Sequence, residues 1–212
     1  MKKLLIAIVA CLFLAGMTAT ANAVVLLPGD SGIACTNAVS PGGSIVTSVS
    51  YNFTSVGDVF HGTLTETVRS NVNGYLFEYL ISNDSTSGTP ISSISTGDFG
   101  GFTTNVGADN APLNPFPSTL QRSLNGTGIV FNYDTSTDPI HPGDTADLLW
   151  IQTNSNTYGD GFTSLLDEDG HSSQVATFDP QNRSRVPEPA SAMLLGLGLI
   201  GLVGSIRKKF MA

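Results

Sequence analysis

Ser44-Ile-Val-Thr-Ser-Val-Ser-Tyr-Asn-Phe53, Val59-Phe-His-Gly-Thr-Leu-Thr-Glu-Thr-Val-Arg69 and Tyr75-Leu-Phe-Glu-Tyr-Leu-Ile81 together decide the fold class. Successive side chains on a strand point to opposite faces, so a period of two in hydropathy marks a half-buried strand. The first segment places Ile45, Val49, Tyr51 and Phe53 on one face with Thr47 among them, and the second sets Phe60, Leu64 and Val68 against Thr63, Thr65 and Thr67. Asn71 to Gly74 reads as a turn, and the third segment is apolar on both faces except at Glu78, as a central strand is.

The same pattern recurs at Ile91–Ile94, Gly128–Tyr133, Ala146–Gln152 with the lone tryptophan Trp150, Phe162–Leu166 and Gln174–Phe178. Eight or so strands with Gly, Pro, Asn and Asp turns between them predict an all-β body, an antiparallel β-sandwich of jelly-roll or Ig-like type. Gly100 to Leu120, with Pro112, Pro115 and Pro117, reads as a long surface loop. No repeat of 20 to 50 residues occurs, which argues against a solenoid or propeller.

Composition narrows the partners. Between residues 24 and 185 stand four arginines (Arg69, Arg122, Arg183 and Arg185), no lysine and sixteen acids, a formal charge of −12. Nucleic-acid binding needs a basic surface, so it is excluded. An acidic surface suits divalent cations or neutral glycans. Cys11 falls in the leader described next, which leaves Cys35 alone in the mature chain, where it is a buried apolar residue, an intermolecular link or a reactive thiol.

The two ends carry targeting features. Lys2-Lys3 precedes an apolar run from Leu4 to Gly16, and Ala21-Asn22-Ala23 forms a small-x-small site, so residues 1–23 read as a signal peptide cleaved after Ala23. Ile8-Val-Ala-Cys11 offers a rival lipoprotein box, with an apolar core of only about seven residues before the cysteine. At the other end seventeen uncharged residues, 190–206, precede Arg207-Lys208-Lys209, the length and basic stop of a single transmembrane helix. The positive-inside rule keeps that stop cytoplasmic and the preceding chain outside the inner membrane. The expected organisation is a signal peptide (1–23), a sandwich body (24–180), a tether (181–186) and a tail (187–212).

Val186-Pro187-Glu188-Pro189-Ala190 stands just before the apolar segment. The order Pro-Glu-Pro, apolar helix, basic cluster, over about the last twenty-five residues, resembles the PEP-CTERM sorting signal. That resemblance implies a substrate of exosortase, a membrane-embedded protease or transpeptidase, in Gram-negative bacteria that make extracellular polysaccharide. Pro187, Glu188 and Pro189 would be recognised, not catalytic. Two prolines hold the backbone extended and deny it helical hydrogen bonds, which suits protease access at the membrane face. Tyr75 to Asp84 followed by Pro90 to Ile94 also resembles strand pairs of other exported PEP-CTERM bodies.

Catalytic motifs are lacking in the body. His61, His141 and His171 have no second histidine at metal-ligand spacing, and neither a zinc motif nor a Gly-x-Ser-x-Gly elbow occurs. His61 falls on the polar face of its strand and His141 in a turn. Asp167-Glu-Asp169-Gly-His171 is the best acidic cluster; Asp167 and Asp169 are weak calcium candidates, because an EF-hand begun at Asp167 would need glycine where Ser172 stands. A solvated hairpin turn is the plainer reading. Tyr158 and Phe102 would stack on sugar rings if exposed, or belong to the core. The expectation is an exported, exosortase-sorted surface or matrix protein with a noncatalytic structural or adhesive body, no cofactor, and extracellular polysaccharide among its partners. The alternatives are a glycan- or calcium-binding module and, behind it, a secreted hydrolase.

Overall fold

Among the described residues twelve strands form in chain order: β1 (Val24–Val25), β2 (Ile33–Ala34), β3 (Ser44–Thr54), β4 (His61–Asn71), β5 (Gly74–Asn83), β6 (Ile91–Thr96), β7 (Thr104–Asp109), β8 (Thr119–Arg122), β9 (Ile129–Asn132), β10 (Leu148–Thr153), β11 (Tyr158–Asp167) and β12 (Ser172–Pro180). They are seen in a computed structural model that describes residues 23–109 and 114–181. Two compact units divide the chain, Met1–Gln181 and Asn182–Ala212, and every described residue belongs to the first. The signal-peptide core and the apolar tail helix lie outside the described residues.

The alternating segments quoted above become β3, β4 and β5, paired antiparallel in sequence order. They lead one six-stranded sheet, β1-β7-β10-β5-β4-β3, and the other sheet runs β12-β11-β6-β9-β8-β2, all strand pairs being antiparallel. The result is an open two-sheet sandwich rather than a closed barrel. Leu64, Val68, Phe77 and Ile81 from the first sheet meet Ile94, Phe131 and Leu165 from the second in one buried core. Phe77 and Phe99 pack edge to face at 5.7 Å. Each such side chain contributes about 1.5–3 kcal/mol by leaving water.

Two expectations are corrected. Ile45 does not share a face with Val49, Tyr51 and Phe53: the register shifts between Ile45 and Thr47, so Ile45 sits opposite Arg69 while Thr47 sits opposite Val68. One extra residue in a strand moves everything beyond it to the other face. Ile45 is accordingly 59 % exposed. Second, the stretch expected to be a surface loop contains β7, an interior strand between β1 and β10, with Val106 and Ala108 fully buried.

Its sequence, Thr-Asn-Val-Gly-Ala-Asp, has little apolar signal because its neighbour supplies the bulk. Trp150 lies directly across from Gly107, and a Cβ there would come within 2.6 Å of the indole ring. The ring is roofed by Ala38, whose carbonyl accepts a hydrogen bond from the indole Nε1 at 2.8 Å. Trp150, Ala38 and Leu76 make a second small core on the outer face of this sheet. On the same face Glu78 accepts hydrogen bonds from Arg69 Nε at 2.7 Å and from Ser40 Oγ at 2.6 Å.

Arg122 fastens one end of the sandwich. It is 3 % exposed. Its Nε donates to the Gly126 carbonyl (3.0 Å), Nη1 to the Leu26 carbonyl (2.7 Å) and Thr104 Oγ1 (3.0 Å), and Nη2 to the carbonyls of Phe99 (2.8 Å) and Phe102 (2.9 Å). All five donors of the guanidinium are used. Burial pushes its pKa down and the field of Asp30 pushes it back up.

Arg122→Lys keeps the charge but loses the planar fork, so unfolding free energy in urea should fall by about 2–4 kcal/mol. A change below about 0.5 kcal/mol, the size of an ordinary surface substitution, would show that the five contacts do not hold the sandwich.

Candidate functional site

Alternation along β4 puts Glu66 on the inner face, between Leu64 and Val68. It is fully buried there, directly opposite Tyr79 of β5 and Val49 of β3. Glu66 Oε2 accepts a hydrogen bond from the Phe178 backbone N–H of β12 at 2.7 Å, and Glu66 stands beside Tyr79 in the β4–β5 pairing. From Tyr79 the chain continues to Thr96 (3.3 Å) and from Thr96 Oγ1 to Asp179 Oδ1 (3.4 Å). Asp179, 1 % exposed, fills the space that a side chain on Gly161 would need. Two acids from opposite sheets thus sit at either end of a buried tyrosine–threonine pair.

Burial raises the Glu66 carboxyl to about 8, and the nearby Asp179 charge adds to the rise. Burial likewise raises Asp179 to about 7, with Asp98 contributing. Glu66 Oε1 and Asp179 Oδ2 are buried and have no hydrogen-bond partner among the described residues. A protonated carboxyl resolves the electrostatic part of this cost, since two adjacent buried carboxylates would repel each other in a medium that solvates neither. Both acids are sealed from solvent, so this pair joins the sheets and presents no surface to a substrate.

Nothing in the sequence reading singled out Glu66 or Asp179. Parity on β4 was the available signal, because Glu66 has the same parity as Leu64 and Val68.

At the surface, Asn52, Thr54, Asp58, His61 and Asp84 line an open cleft of about 310 Å³ with Phe53 and Gly62. Asp58 is placed by a tight turn in which it takes a left-handed φ of 56° beside Gly57. His61 Nδ1 lies 3.1 Å from Asp58 Oδ1, without hydrogen-bond alignment, and Nε2 lies 2.9 Å from Thr86 Oγ1 with Asp84 Oδ2 at 3.9 Å. His61 is therefore a partnered histidine on the polar face of its strand. His141 is exposed and caps a turn through its backbone N–H to Asp144 Oδ2 at 3.1 Å.

Asp167, Asp169 and His171 do converge, with ligand atoms within 4.8 Å of one another. They form the hairpin between β11 and β12. Asp167 Oδ1 accepts the backbone N–H groups of Asp169 (3.0 Å) and His171 (2.7 Å), while Oδ2 accepts Thr89 Oγ1 (2.9 Å) and lies 2.8 Å from His171 Nδ1. Burial alone would raise this carboxyl, but the hydrogen bonds from His171 and Thr89 hold it below its ordinary value. A calcium ion takes six to eight oxygens. To use Asp167 it would have to break the bonds that shape the turn.

Tyr158 and Phe102 are partly buried, and Tyr158 stacks edge-on against Tyr75 (5.2 Å) and Phe178 (5.4 Å) at the rim of the core. Cys35 is half-buried, and burial raises its thiol to about 12, which leaves little thiolate at neutral pH. Ala23 packs against the Trp150 cluster, and β1 starts at the next residue. Ala21, Pro187, Glu188, Pro189, Arg207, Lys208 and Lys209 lie outside the described residues.

The two interior acids set a pH dependence. Their folded-state values, about 8 and about 7, lie above the ordinary 4.5 and 3.8, so the folded state holds protons that the unfolded chain releases. That stabilisation is complete below the ordinary carboxylate values and is lost as pH rises through about 8. The melting temperature should therefore drop by about 5 °C or more from about pH 5 to about pH 8, and Glu66→Gln should flatten the drop. A melting temperature that holds level or rises over that range would mean that the pair is ionised in the folded protein.

Residues 185–208 match the PEP-CTERM protein-sorting motif. No characterised protein and no solved structure matches the chain. The match includes Pro187, Glu188 and Pro189 and reaches Arg207 and Lys208, so the chain carries a PEP-CTERM sorting tail, the mark of an exported precursor processed by exosortase.

Proposed function

We propose that this protein is a surface or extracellular-matrix component whose β-sandwich is a noncatalytic structural or adhesive body, delivered by exosortase from an inner-membrane-anchored precursor. The observation that carries this reading is the sorting motif at 185–208, beginning just after the last described residue of the sandwich, Gln181. Gln181 is itself tied down, its N–H donating to the Thr157 carbonyl at 2.9 Å and its carbonyl accepting from Thr157 Oγ1 at 2.6 Å. A cut near Pro-Glu-Pro would leave the sandwich intact.

The outer face of β3 and β4 supports life among polysaccharide. Ser48 with Thr67 (2.8 Å) and Ser50 with Thr65 (2.7 Å) form a ladder of paired hydroxyls in exposed positions. Such a face is hydrated without carrying charge. The noncatalytic reading rests on the sealing of the interior acids and on the engagement of Asp167 by its own turn.

A second reading, a glycan- or calcium-binding module, is favoured by the cleft around Asp58, His61 and Asp84. If calcium binds there, it must raise the melting temperature of the folded protein, and Asp58→Asn with Asp84→Asn must abolish the rise. A melting temperature unmoved by calcium removes the calcium form of this reading.

Sorting is tested in the native host by intact mass and fractionation. The wild type should yield a species starting at Val24 and ending near Pro187 to Pro189 outside the inner membrane, whereas Pro187→Ala with Glu188→Ala should stay full length at its C-terminus and remain in the inner membrane. Equal release of both would sink the sorting reading.

A further inference from the structure

We propose that β3 is a self-pairing edge, through which two copies of this protein join antiparallel about a twofold axis at Ser50 and continue the β1-β7-β10-β5-β4-β3 sheet from one copy into the other.

The inference starts from the edges of the two sheets. β1 and β2 have two residues each. β12 is blunted: its Phe178 N–H is taken by Glu66, its Ser172 carbonyl accepts the Val56 N–H, and it ends in Pro180. β3 has eleven residues, no proline and no charge, and among the described residues it pairs with β4 alone. Long, uncharged edges of this kind are templates for another strand, and proteins that avoid pairing place lysine or proline on them.

Hydrogen-bond parity shows which groups are open. Ser55 N–H donates to the Phe60 carbonyl, one step beyond the Thr54 and His61 pair. Alternation in an antiparallel ladder then directs Phe53, Tyr51 and Val49 toward β4, and the backbone N–H and C=O groups of Asn52, Ser50 and Ser48 toward the free edge. None of the latter has a backbone partner among the described residues. Thr54, of the same parity, is already engaged, its carbonyl accepting from Ser173 Oγ at 3.0 Å.

The register follows from the two ends of this open stretch. The bulge at Val46 closes it on one side and the Thr54 contact on the other, leaving residues 47–53 with Ser50 at the midpoint. Pairing about Ser50 sets Ser48 against Asn52 of the second copy on the outer face, and Val49 against Tyr51 on the inner face. Val49 and Tyr51 are only half-buried in one copy, and each would cover the other.

Charge selects a second copy as the occupant. The body carries −12, so copies repel over most of their surface, but residues 31–57 contain no charged side chain or histidine. Two identical acidic molecules can approach along this stretch because the strand itself brings no charged side chain to the seam, so no like charges are paired directly across it. Ile45 and Val46, 59 % and 42 % exposed, extend the apolar part of the strip. One strand pair buries less than the roughly 1,200–2,000 Å² of a stable interface, so the dimer is weak and reversible, suited to copies crowded on a surface.

The test uses the full chain in detergent with Cys11 and Cys35 replaced by alanine. Ser50→Cys should be captured as a dimer by a short bis-maleimide, because residues paired across the twofold have Cα atoms about 5.5 Å apart. Thr65→Cys, one strand inward, should not, since its copies would lie three strand spacings, about 14 Å, apart. Adding Ser48→Lys with Asn52→Lys to the Ser50→Cys chain sets like charges opposite one another and should cut the captured dimer about tenfold. Monomeric Ser50→Cys, equal capture of Thr65→Cys, or indifference to the lysines would overturn the proposal. In the unaltered protein the amide hydrogens of Ser48, Ser50 and Asn52 should exchange more slowly as concentration rises, and concentration-independent exchange would overturn it as well.

Discussion

A guanidinium whose five hydrogen bonds all go to neutral oxygens closes one end of this sandwich. Arg122 stands on β8 of one sheet, yet its donors reach Leu26 and Thr104, at the two strands that end the other sheet, and also Phe99, Phe102 and Gly126 in the turns between. A buried charge is tolerated only where dipoles replace the water it has lost. Four carbonyls and one hydroxyl do so here, and each is held in place by the strand or turn that carries it. One of the five contacts holds Thr104 at the start of β7, and β7 in turn gives Trp150 its flat neighbour at Gly107.

The sandwich keeps its other polar interior groups in two different ways. Glu78, on the outer face of its sheet, is compensated by Arg69 and Ser40, so it stays within a conventional ion pair. Glu66, on the inner face of the adjacent strand, has no cation near it and shares its environment with Asp179. The two glutamates are twelve residues apart in sequence and on neighbouring strands. Strand parity, not residue type, decides which one meets an arginine and which one is buried beside a second acid.

The surface is consistent with an exported, sorted protein. The body has no lysine and a large excess of acid, while the hydroxyl ladder on β3 and β4 offers a neutral, hydrated face. The sorting tail follows the sandwich almost at once, so release near Pro-Glu-Pro would deliver the sheets without cutting into them. The cleft around His61 lies where β3 turns into β4, separate from the interior acids.

The sequence by itself determined whatever depends on neighbours along the chain: the period of two that makes β3, β4 and β5, the turn from Asn71 to Gly74, the histidine on the polar face, the Asp167 hairpin, and the sorting tail, which is a linear signal. Tertiary structure decided what depends on residues far apart. Thr104–Asp109 is a strand because Trp150 fills the volume its own side chains lack. Ile45 faces outward because a one-residue bulge, invisible in an apolar count, reverses parity beyond Thr47. Arg122 is buried because five acceptors from three separate stretches of chain meet around it, and Glu66 meets Asp179 only when the sheets close face to face. Periodicity reports which face of a strand is dry; it carries no record of which strand will lie against that face, and the chemistry of buried charge is settled by that second fact.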